Sequence, residues 1–217
     1  MSRKGIIISG VSLDTEFTLQ ILKEIHPEYV IGVDRGLTFL YHNQVMPTHI
    51  VGDFDSVEPE IIAYYKENTD IPIREFDPVK DASDTEIAVR LAIELGVEHL
   101  WILGATGTRL DHVIANIQTL KIAHDARVKT YILDKNNRIS LIEKEFCLGK
   151  NEQYGKYFSV FPLGETIEKF SIVGAKYSLQ NHTLCPSGSL CVSYEIEEEK
   201  IEITYPKGIV IFMETKE

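Results

Sequence analysis

Residues 99–123 read HLWILGATGTRLDHVIANIQTLKIA and join a strand, a glycine-rich loop and a helix in one stretch. The apolar run His99–Gly104 is short, which predicts a buried strand. Arg109–Ala123 carries apolar residues at helical spacing, and a second strand-like run, Lys129–Asp134, follows it. A strand, a helix and a strand at this spacing predict a right-handed βαβ unit with parallel strands.

The same alternation runs back to the N-terminus. Four further short runs predict strands, namely Gly5–Ser9, Tyr29–Asp34, His49–Phe54 and Ile71–Phe76. Segments with helical spacing, such as Thr85–Leu95, alternate with the strands. We therefore predict an α/β N-terminal domain over residues 1–136, with a mainly parallel, Rossmann-like sheet that helices cover on both faces.

The pattern changes after about residue 138. From there the sequence predicts strands without a convincing helix, at Arg138–Glu143, Tyr157–Leu163, Phe170–Ala175, Leu190–Glu197, Lys200–Tyr205 and Ile209–Glu214. Glu198–Glu199 separates two of these strands in the manner of a hairpin turn. We therefore predict an all-β C-terminal domain over residues 137–217, an antiparallel sandwich.

The charge balance limits the ligands that the chain can bind. It has 217 residues, with 22 Lys and Arg against 33 Asp and Glu, and a formal net charge of −11. This acidity argues against nucleic acid as a partner, because proteins that bind duplexes neutralise phosphates with Lys and Arg. A divalent cation held by carboxylates can nevertheless attract an anionic ligand.

The sequence favours a cytoplasmic protein without a membrane segment. The apolar run Ile6–Ile8 is too short for the core of a signal peptide, and no stretch approaches the ~20 apolar residues of a transmembrane helix. Cys147, Cys185 and Cys191 form an odd set without CxxC spacing, so we expect free thiols rather than disulfides or a zinc site.

Aspartates concentrate where the predicted strands end. Ligands of an open parallel sheet bind at the carboxyl ends of its strands, so residues placed there are candidates for function. Each of four consecutive strand ends is followed by at least one aspartate. In chain order these are Asp34; Asp53 and Asp55; Asp77, Asp81 and Asp84; and Asp111. Surface acidity alone does not require this placement.

Asp53 and Asp55 have two interpretations. On an extended segment their side chains project to the same side, and such a pair of carboxylates suits Mg²⁺, which takes one or two carboxylates plus substrate phosphates. The alternative is an Asx-type turn in which Asp55 or Ser56 caps the next helix. The pair alone leaves both possibilities open.

Ser83 and Glu86 have the spacing of a capping box at the start of the helix Thr85–Leu95. Asp84 lies at helical spacing from Ile87 and Leu91, on the face that should turn toward the sheet. Because Asp is rarely buried without a partner, a cation at this helix start is the better explanation for Asp84.

The loop Gly104–Thr108 leads into a helix N-terminus, where free N–H groups favour phosphate. Arg109, His112 and Asn116 form a polar line on that helix, and an Arg offers a fork to phosphate oxygens. We interpret the loop and this line as a phosphate clamp. The predicted core stripe of the same helix is Leu110, Val113, Ile114, Ile117 and Leu120.

Taken together, these motifs resemble a known family. Four blocks carry the resemblance: Val33-Asp34-Arg35-Gly36, Gly52-Asp53-Phe54-Asp55-Ser56, Lys80-Asp81-Ala82-Ser83-Asp84, and Gly107-Thr108-Arg109-Leu110-Asp111-His112 followed by Ala115-Asn116. In this order they resemble the bacterial thiamine pyrophosphokinases over nearly the whole chain. Gly174–Leu179 is similar to the GLKYPL segment of that family. The resemblance implies an α/β nucleotide-binding domain and a β-sandwich.

The resemblance also implies an activity. Members of the family are enzymes that transfer pyrophosphate from ATP to the hydroxyl of thiamine, with Mg²⁺, and release thiamine diphosphate and AMP. They are homodimers, and thiamine binds between the α/β domain of one subunit and the sandwich of the other. The C-terminal domain is thus expected to serve thiamine binding and dimerisation.

The matching positions acquire expected roles from this resemblance. Asp53, Asp55 and Asp84 are expected to bind Mg²⁺ and to act in catalysis. Arg109 and Asp111 belong to the catalytic block of the family. The residues expected around the nucleotide are Asp34, Arg35, Gly36, Lys80, Asp81, Ser83, Gly104, Thr106, Gly107, Thr108, His112 and Asn116.

Two residues are expected at the thiamine. Ser193 matches the Ser that lines the thiamine site of the family, and the aromatic ring of Tyr177 can stack on the cationic substrate. Ser178 and Tyr194 depart from the family pattern, which has Pro and Asn there, so the resemblance does not define the details of the thiamine contacts.

Three alternatives stay open. Asp53-Phe54-Asp55 matches the nucleophile pattern of haloacid-dehalogenase-type phosphatases, with Asp53 as nucleophile, although that family places the pattern after its first strand. A non-catalytic regulator that binds nucleotide or thiamine could have kept the fold. Within the kinase interpretation, Asp111 is either a general base or the ion-pair partner of Arg109.

Overall fold

A computed structural model describes residues 2–10, 13–76 and 81–217. The chain divides into two compact units, Met1–Lys135 and Asn136–Glu217. Lys80 lies outside the described residues, as does Asp77. None of the helices within the described ranges is long and apolar enough to cross a membrane.

The N-terminal unit alternates strands and helices. Its strands are β1 (Lys4–Ile8), β2 (Tyr29–Val33), β3 (His49–Gly52), β4 (Ile73–Glu75), β5 (His99–Leu103) and β6 (Lys129–Leu133). Its helices are α1 (Thr15–Ile25), α2 (Arg35–His42), α3 (Pro59–Asn68), α4 (Asp84–Glu94) and α5 (Leu110–Asp125). The predicted α/β character of this part is confirmed.

The six strands pair in the order β6-β5-β1-β2-β3-β4, and every pair is parallel. Ile6, Ile7 and Ile8 of β1 are completely buried, as expected for a central strand of a covered parallel sheet. The chain moves away from β1 in one direction through β4 and then returns to β5 on its other side. This reversal makes the carboxyl ends of β1 and β5 the topological switch point, where such sheets bind ligands.

Side-chain caps fix two helix starts in this unit. The Asp14 carboxylate accepts the N–H of Phe17 and begins α1, and the Ser83 hydroxyl accepts the N–H of Glu86 and begins α4. The Glu86 carboxylate itself pairs with Arg90 at 2.8 Å. Helix α4 packs against β1, β2 and β3, so its first residues lie near the middle of the sheet.

Helix α5 buries only part of the stripe that its apolar spacing predicts. Leu110 and Ile114 are 73% and 58% exposed, so the prediction is wrong for these two residues. The helix packs against α4 and β6, and its buried residues are Asn116, Thr119, Leu120 and Ala123, of which Leu120 alone belongs to the predicted stripe. Small side chains suit the buried face because they let two helices approach closely.

The C-terminal unit is all β apart from one 3₁₀ turn at Lys150–Glu152. Its strands are β7 (Asn137–Ile142), β8 (Glu145–Gly149), β9 (Tyr157–Pro162), β10 (Ile167–Val173), β11 (Leu179–Leu184), β12 (Tyr194–Glu195), β13 (Lys200–Thr204) and β14 (Val210–Thr215). They form antiparallel sheets in the orders β12-β9-β14-β7 and β11-β10-β13-β8. One hydrophobic cluster, which includes Phe158, Phe170 and Phe212, contains side chains from both sheets.

The hairpin predicted at Glu198–Glu199 does not form. Strand β12 pairs with β9, whereas β13 pairs with β8 and β10, so the chain passes from one sheet to the other at this point. The alternation of Ile201 and Ile203 reflects burial in the shared core, which a strand in either sheet would show. Strands β8 and β11 are additional to the prediction.

Candidate active site

The segment that follows β2 has an unusual backbone. Asp34 adopts φ +42° and ψ −120°, a conformation that residues other than glycine rarely take. Its carboxylate lies against Gly52 at the end of β3, where any side chain would collide with Asp34 Oδ1. Helix α2 starts at Arg35, which is exposed, and Gly36 is buried against the carbonyl of Ile8.

Asp53 and Asp55 flank a second unusual residue. Phe54 has φ +61°, so the segment turns, and the extended conformation expected for it is wrong. The Asp53 carboxylate accepts the N–H of Asp55 at 3.3 Å, which is the Asx-type turn of the alternative interpretation. Neither Asp55 nor Ser56 caps the next helix, because α3 begins after Glu58.

The side chain of Phe54 explains how this turn is held. It is 9% exposed and belongs to a cluster with Leu37, Ile50 and Ile61. Burying the Phe54 ring leaves Asp53 half-buried and Asp55 exposed. Strained residues of this kind concentrate at functional sites, so the strain at Asp34 and Phe54 supports a function for the acids beside them.

The start of α4 contacts the end of β1. Asp84 is the first residue of α4 and is half-buried. The buried hydroxyl of the next residue, Thr85, lies 3.0 Å from the hydroxyl of Ser9. This hydrogen bond between Thr85 and Ser9 holds the start of α4, and with it Asp84, at the centre of the sheet. Asp81 is exposed, just before the helix.

The backbone segments at the ends of the neighbouring strands β1 and β5 are in close contact. The N–H of Ser9 donates to the carbonyl of Leu103 at 2.9 Å. Gly10 and Gly104 have φ +70° and +78°, and a side chain on either would collide with backbone of the other strand end. Both positions therefore require glycine.

Two hydrogen bonds hold the loop after β5, one from α5 and one to the residue that follows β6. The amide Nδ2 of Asn116, buried on α5, donates to the carbonyl of Ala105 at 2.9 Å. The hydroxyl of Thr106 donates to the carboxylate of Asp134 at 2.5 Å. These contacts give Asn116 and Thr106 a role in holding the loop, where the sequence suggested direct contact with phosphate. Gly107 is half-buried, whereas Thr108 is exposed.

Arg109 and Asp111 form an exposed ion pair at the start of α5. Arg109 Nη2 lies 2.6 Å from Asp111 Oδ2, and Arg109 Nε lies 3.3 Å from Oδ1. The hydrogen bond from Arg109, with a second from the N–H of His112, lowers the pKa of Asp111 below its ordinary value. The Asp111 carboxylate in turn raises the pKa of Arg109. The His112 side chain is exposed.

A cleft with a volume of about 340 Å³ opens between the start of α4 and the middle of α5. It brings Asp81 and Ser83 together with residues one to three turns beyond Asp111 on α5. Its lining consists of Asp81, Ala82, Ser83, Glu86, Ala115, Gln118, Thr119 and Ile122. The volume falls in the range of small-molecule sites.

In the C-terminal unit, Tyr177 and Ser193 are both accessible to a ligand. Tyr177 is 62% exposed, and its ring contacts that of Tyr194 edge to face at 6.1 Å. Ser193 is exposed, has φ +59° and donates its N–H to the hydroxyl of Ser159. Tyr194 is 5% exposed and packs on Phe158, so this departure from the family pattern contributes to the core.

Asp53, Asp55 and Asp84 are chemically suited to a hard cation, because Mg²⁺ and Ca²⁺ prefer carboxylate oxygen. Within the described part of the chain, no three Asp, Glu, His or Cys side chains are gathered closely enough to enclose a metal. Asp53 and Asp55 are joined by the turn, and Asp84 begins a helix beside β1. Mg²⁺ takes only one or two carboxylates when phosphates supply further ligands, so the neighbouring Asp53 and Asp55 fit it without a preformed cluster of three.

Three residues near these strand ends were not predicted from the sequence, namely Ser9, Thr85 and Asp134. Ser9 follows a strand end without an aspartate, and only the strand order reveals that this end is at the switch point. Asp134 was assigned to a strand, although β6 ends at Leu133. The concentration of aspartates at strand ends was a signal that could have included Asp134.

Carboxylates, a glycine loop and an Arg at the carboxyl ends of a parallel sheet are typical of enzymes that act on phosphorylated substrates. Two family models match the chain: "Thiamin pyrophosphokinase, catalytic domain" over residues 22–132, and "Thiamin pyrophosphokinase, vitamin B1 binding domain" over residues 145–210. The chain belongs to the thiamin pyrophosphokinase family.

Individual relatives agree. The thiamine pyrophosphokinase of Bacillus subtilis is 31% identical over 185 residues, which cover 84% of this chain and 85% of the relative. The crystal structure of a B. subtilis thiamine pyrophosphokinase superposes with a TM-score of 0.84 at 27% identity, covering 100% of both chains. That of Geobacillus thermodenitrificans gives 0.81 at 26% identity, covering 99% of this chain and 97% of the other.

These matches confirm the resemblance and the assignment as a thiamine diphosphokinase that uses ATP. They favour neither a haloacid-dehalogenase-like phosphatase nor a non-catalytic regulator. The family is associated with a divalent metal.

Proposed function

We propose that the protein transfers pyrophosphate from ATP to the hydroxyl of thiamine, giving thiamine diphosphate and AMP, with Mg²⁺ as the divalent metal. The observation that carries this proposal is that the catalytic-domain and vitamin-B1-binding-domain models of one family match successive parts of the chain. Residues 1–136 serve nucleotide and metal binding, and residues 137–217 serve thiamine binding and dimerisation.

Asp53, Asp55 and Asp84 are the proposed metal ligands. When bound there, Mg²⁺ would neutralise charge on the phosphates of ATP and so favour attack at the β-phosphorus. The turn at Phe54 supports this role, because the buried ring holds Asp55 in an exposed position and Asp53 beside it. Exposure of Asp55 leaves its oxygens accessible to a cation.

The triphosphate is proposed to lie over the glycine loop and the start of α5. Backbone N–H groups at a helix N-terminus favour anions, and Arg109 adds a positive charge beside them. The position of the loop at the switch point between β1 and β5 supports this placement, because a Rossmann-like sheet binds its nucleotide at the switch point. Asp34, Arg35, Gly36, Lys80, Asp81 and Ser83 complete the proposed nucleotide site.

Asp111 is proposed to orient Arg109 rather than to remove the thiamine proton. A general base is most effective when its pKa is near the working pH, and Arg109 lowers the pKa of Asp111. The pair also holds the guanidinium close to the helix start, where it can meet a phosphate.

Tyr177 and Ser193 are the proposed thiamine contacts. An exposed tyrosine ring offers its face to the positively charged thiazolium. The acidic net charge of −11 also favours a cationic substrate.

We further propose a homodimer in which thiamine binds between the α/β domain of one subunit and the sandwich of the other. Large apolar residues are exposed in both units, which is typical of surfaces that meet a partner. They are Leu110 and Ile114 on α5, and Tyr177, Leu190 and Val192 in the C-terminal unit. The three free thiols suit a cytoplasmic location, where reducing conditions prevail.

Product analysis tests the proposed function. The purified protein is incubated with thiamine, ATP and Mg²⁺, and the products are separated by chromatography. The proposal expects thiamine diphosphate and AMP in equal amounts, and no turnover when a chelator removes the metal. Release of inorganic phosphate without thiamine diphosphate would contradict it.

A further inference from the structure

The glycine loop has a fixed base, next to the end of β5, and an exposed end, where α5 begins. At its base, Ala105 is bonded to Asn116 on α5, and Thr106 is bonded to Asp134 just beyond β6. At its other end, where α5 begins, Arg109 is exposed and contacts Asp111. Movement of the base would therefore carry Arg109 and the loop N–H groups with it.

The bond from Thr106 to Asp134 is the charged one of the two. A hydroxyl that donates to a carboxylate at 2.5 Å is a short, charge-assisted hydrogen bond, stronger than one between neutral groups. Asp134 is half-buried at the end of a strand whose preceding residues, Ile132 and Leu133, are in the core. Its carboxylate is therefore attached to a rigid part of the sheet.

We propose that Asp134 is a positioning residue for the nucleotide, acting through Thr106 on the glycine loop. This inference rests on the proposed function, in which the loop and Arg109 bind the triphosphate. Asp134 supplies a hydrogen-bond acceptor at a fixed place, and the loop N–H groups are held in register with the phosphates as a result. The role requires the acceptor oxygen, and the negative charge only strengthens the bond.

The dependence on the acceptor separates this role from that of a metal ligand or base. Asp134→Asn keeps an oxygen that can accept the Thr106 hydroxyl but removes the charge. Asp134→Ala removes both, and Thr106→Val removes the donor from the other side. A positioning role thus predicts that Asn rescues the Ala variant, whereas a metal ligand or a base would be lost in either.

The experiment compares these variants in steady-state kinetics and thermal unfolding. We expect Asp134→Ala and Thr106→Val each to lower kcat/KM for ATP by about 10- to 100-fold, as small displacements of a positioning group do. The loss in the double variant should be smaller than the sum of the two single losses, because both variants remove the bond between Thr106 and Asp134. KM for thiamine should stay within about twofold, and Asp134→Asn should recover most of the activity.

Thr130→Val is the matched control, because Thr130 is on β6 and its hydroxyl donates to the nearby carbonyl of Val128. It should change the unfolding temperature about as much as Thr106→Val and leave kcat/KM for ATP unchanged. Equal losses in Asp134→Asn and Asp134→Ala would overturn the proposal, as would additive losses in the double variant.

Binding of a fluorescent ATP analogue separates this inference from the proposed function. If the wild-type protein makes no thiamine diphosphate, the proposed function fails, and the binding assay still reports on the loop. Weaker binding by Asp134→Ala and Thr106→Val, but not by Asp134→Asn, supports the positioning role. Equal binding by all four proteins contradicts it.

Discussion

A phenylalanine with a positive φ is costly, and Phe54 adopts this conformation between two aspartates. The burial of its ring offsets the strain, because Phe54 packs with Leu37 and Ile61 in the N-terminal unit. The result is a turn whose shape is set by a hydrophobic side chain and whose exposed groups are carboxylates. An aspartate held in this way can meet a metal without first paying for its own ordering.

Asp55→Asn tests the proposed metal site. We expect kcat to fall by at least about 100-fold, because the amide loses the charge that attracts a cation. The free energy of unfolding should change by less than about 0.5 kcal/mol, since Asp55 is exposed. Glu67→Gln, which removes an exposed carboxylate from α3, is the control and should retain full activity. Normal turnover by Asp55→Asn would show that the metal assignment is wrong.

The ion pair between Arg109 and Asp111 leads to a prediction about pH. The pKa of Asp111 is lowered in the folded protein, so the pair is complete above the unfolded pKa of about 4 and is lost as the pH falls through the folded value. Asp111 is therefore charged at every pH from 6 to 9. Asp111→Asn should lower kcat/KM for ATP by about tenfold, by the same factor throughout this range. Loss of an acidic limb of the pH profile in the variant would instead identify Asp111 as the base.

At the scale of single residues, the sequence located the acids well but not their surroundings. Asp34, Asp53, Asp55 and Asp84 are at the strand ends and helix start where they were expected. The backbone conformation of Phe54 was out of reach, because it depends on a core cluster that forms only when distant segments pack. Asp134 follows the end of β6 as the other aspartates follow their strands, but its bond to Thr106, which is 28 positions away, could not be inferred from the sequence.

At the scale of elements, the close approach of the ends of β1 and β5 depends on Gly10 and Gly104. Gly104→Ala should lower the free energy of unfolding by about 3 kcal/mol, from the strained φ and from collision with the Ser9 carbonyl. Gly96→Ala is the matched control in the same unit. Gly96 has φ +74°, but its nearest neighbour is the flexible end of Arg3, so we expect a loss of about 1 kcal/mol.

Urea unfolding, followed by circular dichroism, measures both variants. The difference between them isolates the contact between the strand ends, because the two glycines share the same backbone strain. Gly104→Ala should also lower kcat/KM for ATP, since the loop that carries Arg109 starts at this residue. Equal stability losses in the two variants would show that the close approach of β1 and β5 contributes nothing.

Helix α5 shows why spacing alone misidentifies a buried face. Its apolar residues at helical spacing include Leu110 and Ile114, and both are exposed. The helix buries Asn116 and Thr119 instead, because their polar atoms bond to the carbonyls of Ala105 and Ala115. A pattern of hydrophobicity cannot reveal this exchange, since it depends on backbone partners that only the folded structure supplies.

At the scale of the whole molecule, the order of elements was easier to predict than their pairing. The change from alternating strands and helices to strands alone is visible in the sequence and corresponds to two compact units. The strand order is not visible in the sequence, because pairing partners such as β1 and β5 are more than 90 residues apart. The wrong hairpin at Glu198–Glu199 has the same origin, since adjacent strands need not share a sheet.

The proposed dimer makes a prediction that no single subunit could satisfy. If thiamine binds between the α/β domain of one subunit and the sandwich of the other, Asp55→Asn and Tyr177→Ala inactivate opposite sides of each site. A mixed dimer then has one doubly altered site and one intact site. With random assortment, the mixture should recover about a quarter of the wild-type activity, measured at low thiamine concentration.

Subunit exchange and light scattering complete this test. The particle mass should be twice the chain mass of 24.6 kDa, and activity should appear only after the two variants have exchanged subunits. A double variant with Asp55→Asn and Tyr177→Ala in the same chain, mixed with wild type, is the control. Its mixed dimers have two singly altered sites, so the activity of this mixture should fall on exchange from about half to about a quarter of the wild-type value, whereas that of the two single variants rises. If the two single variants stay inactive after exchange, each site belongs to one subunit, and the exposed residues Leu110 and Ile114 need another explanation.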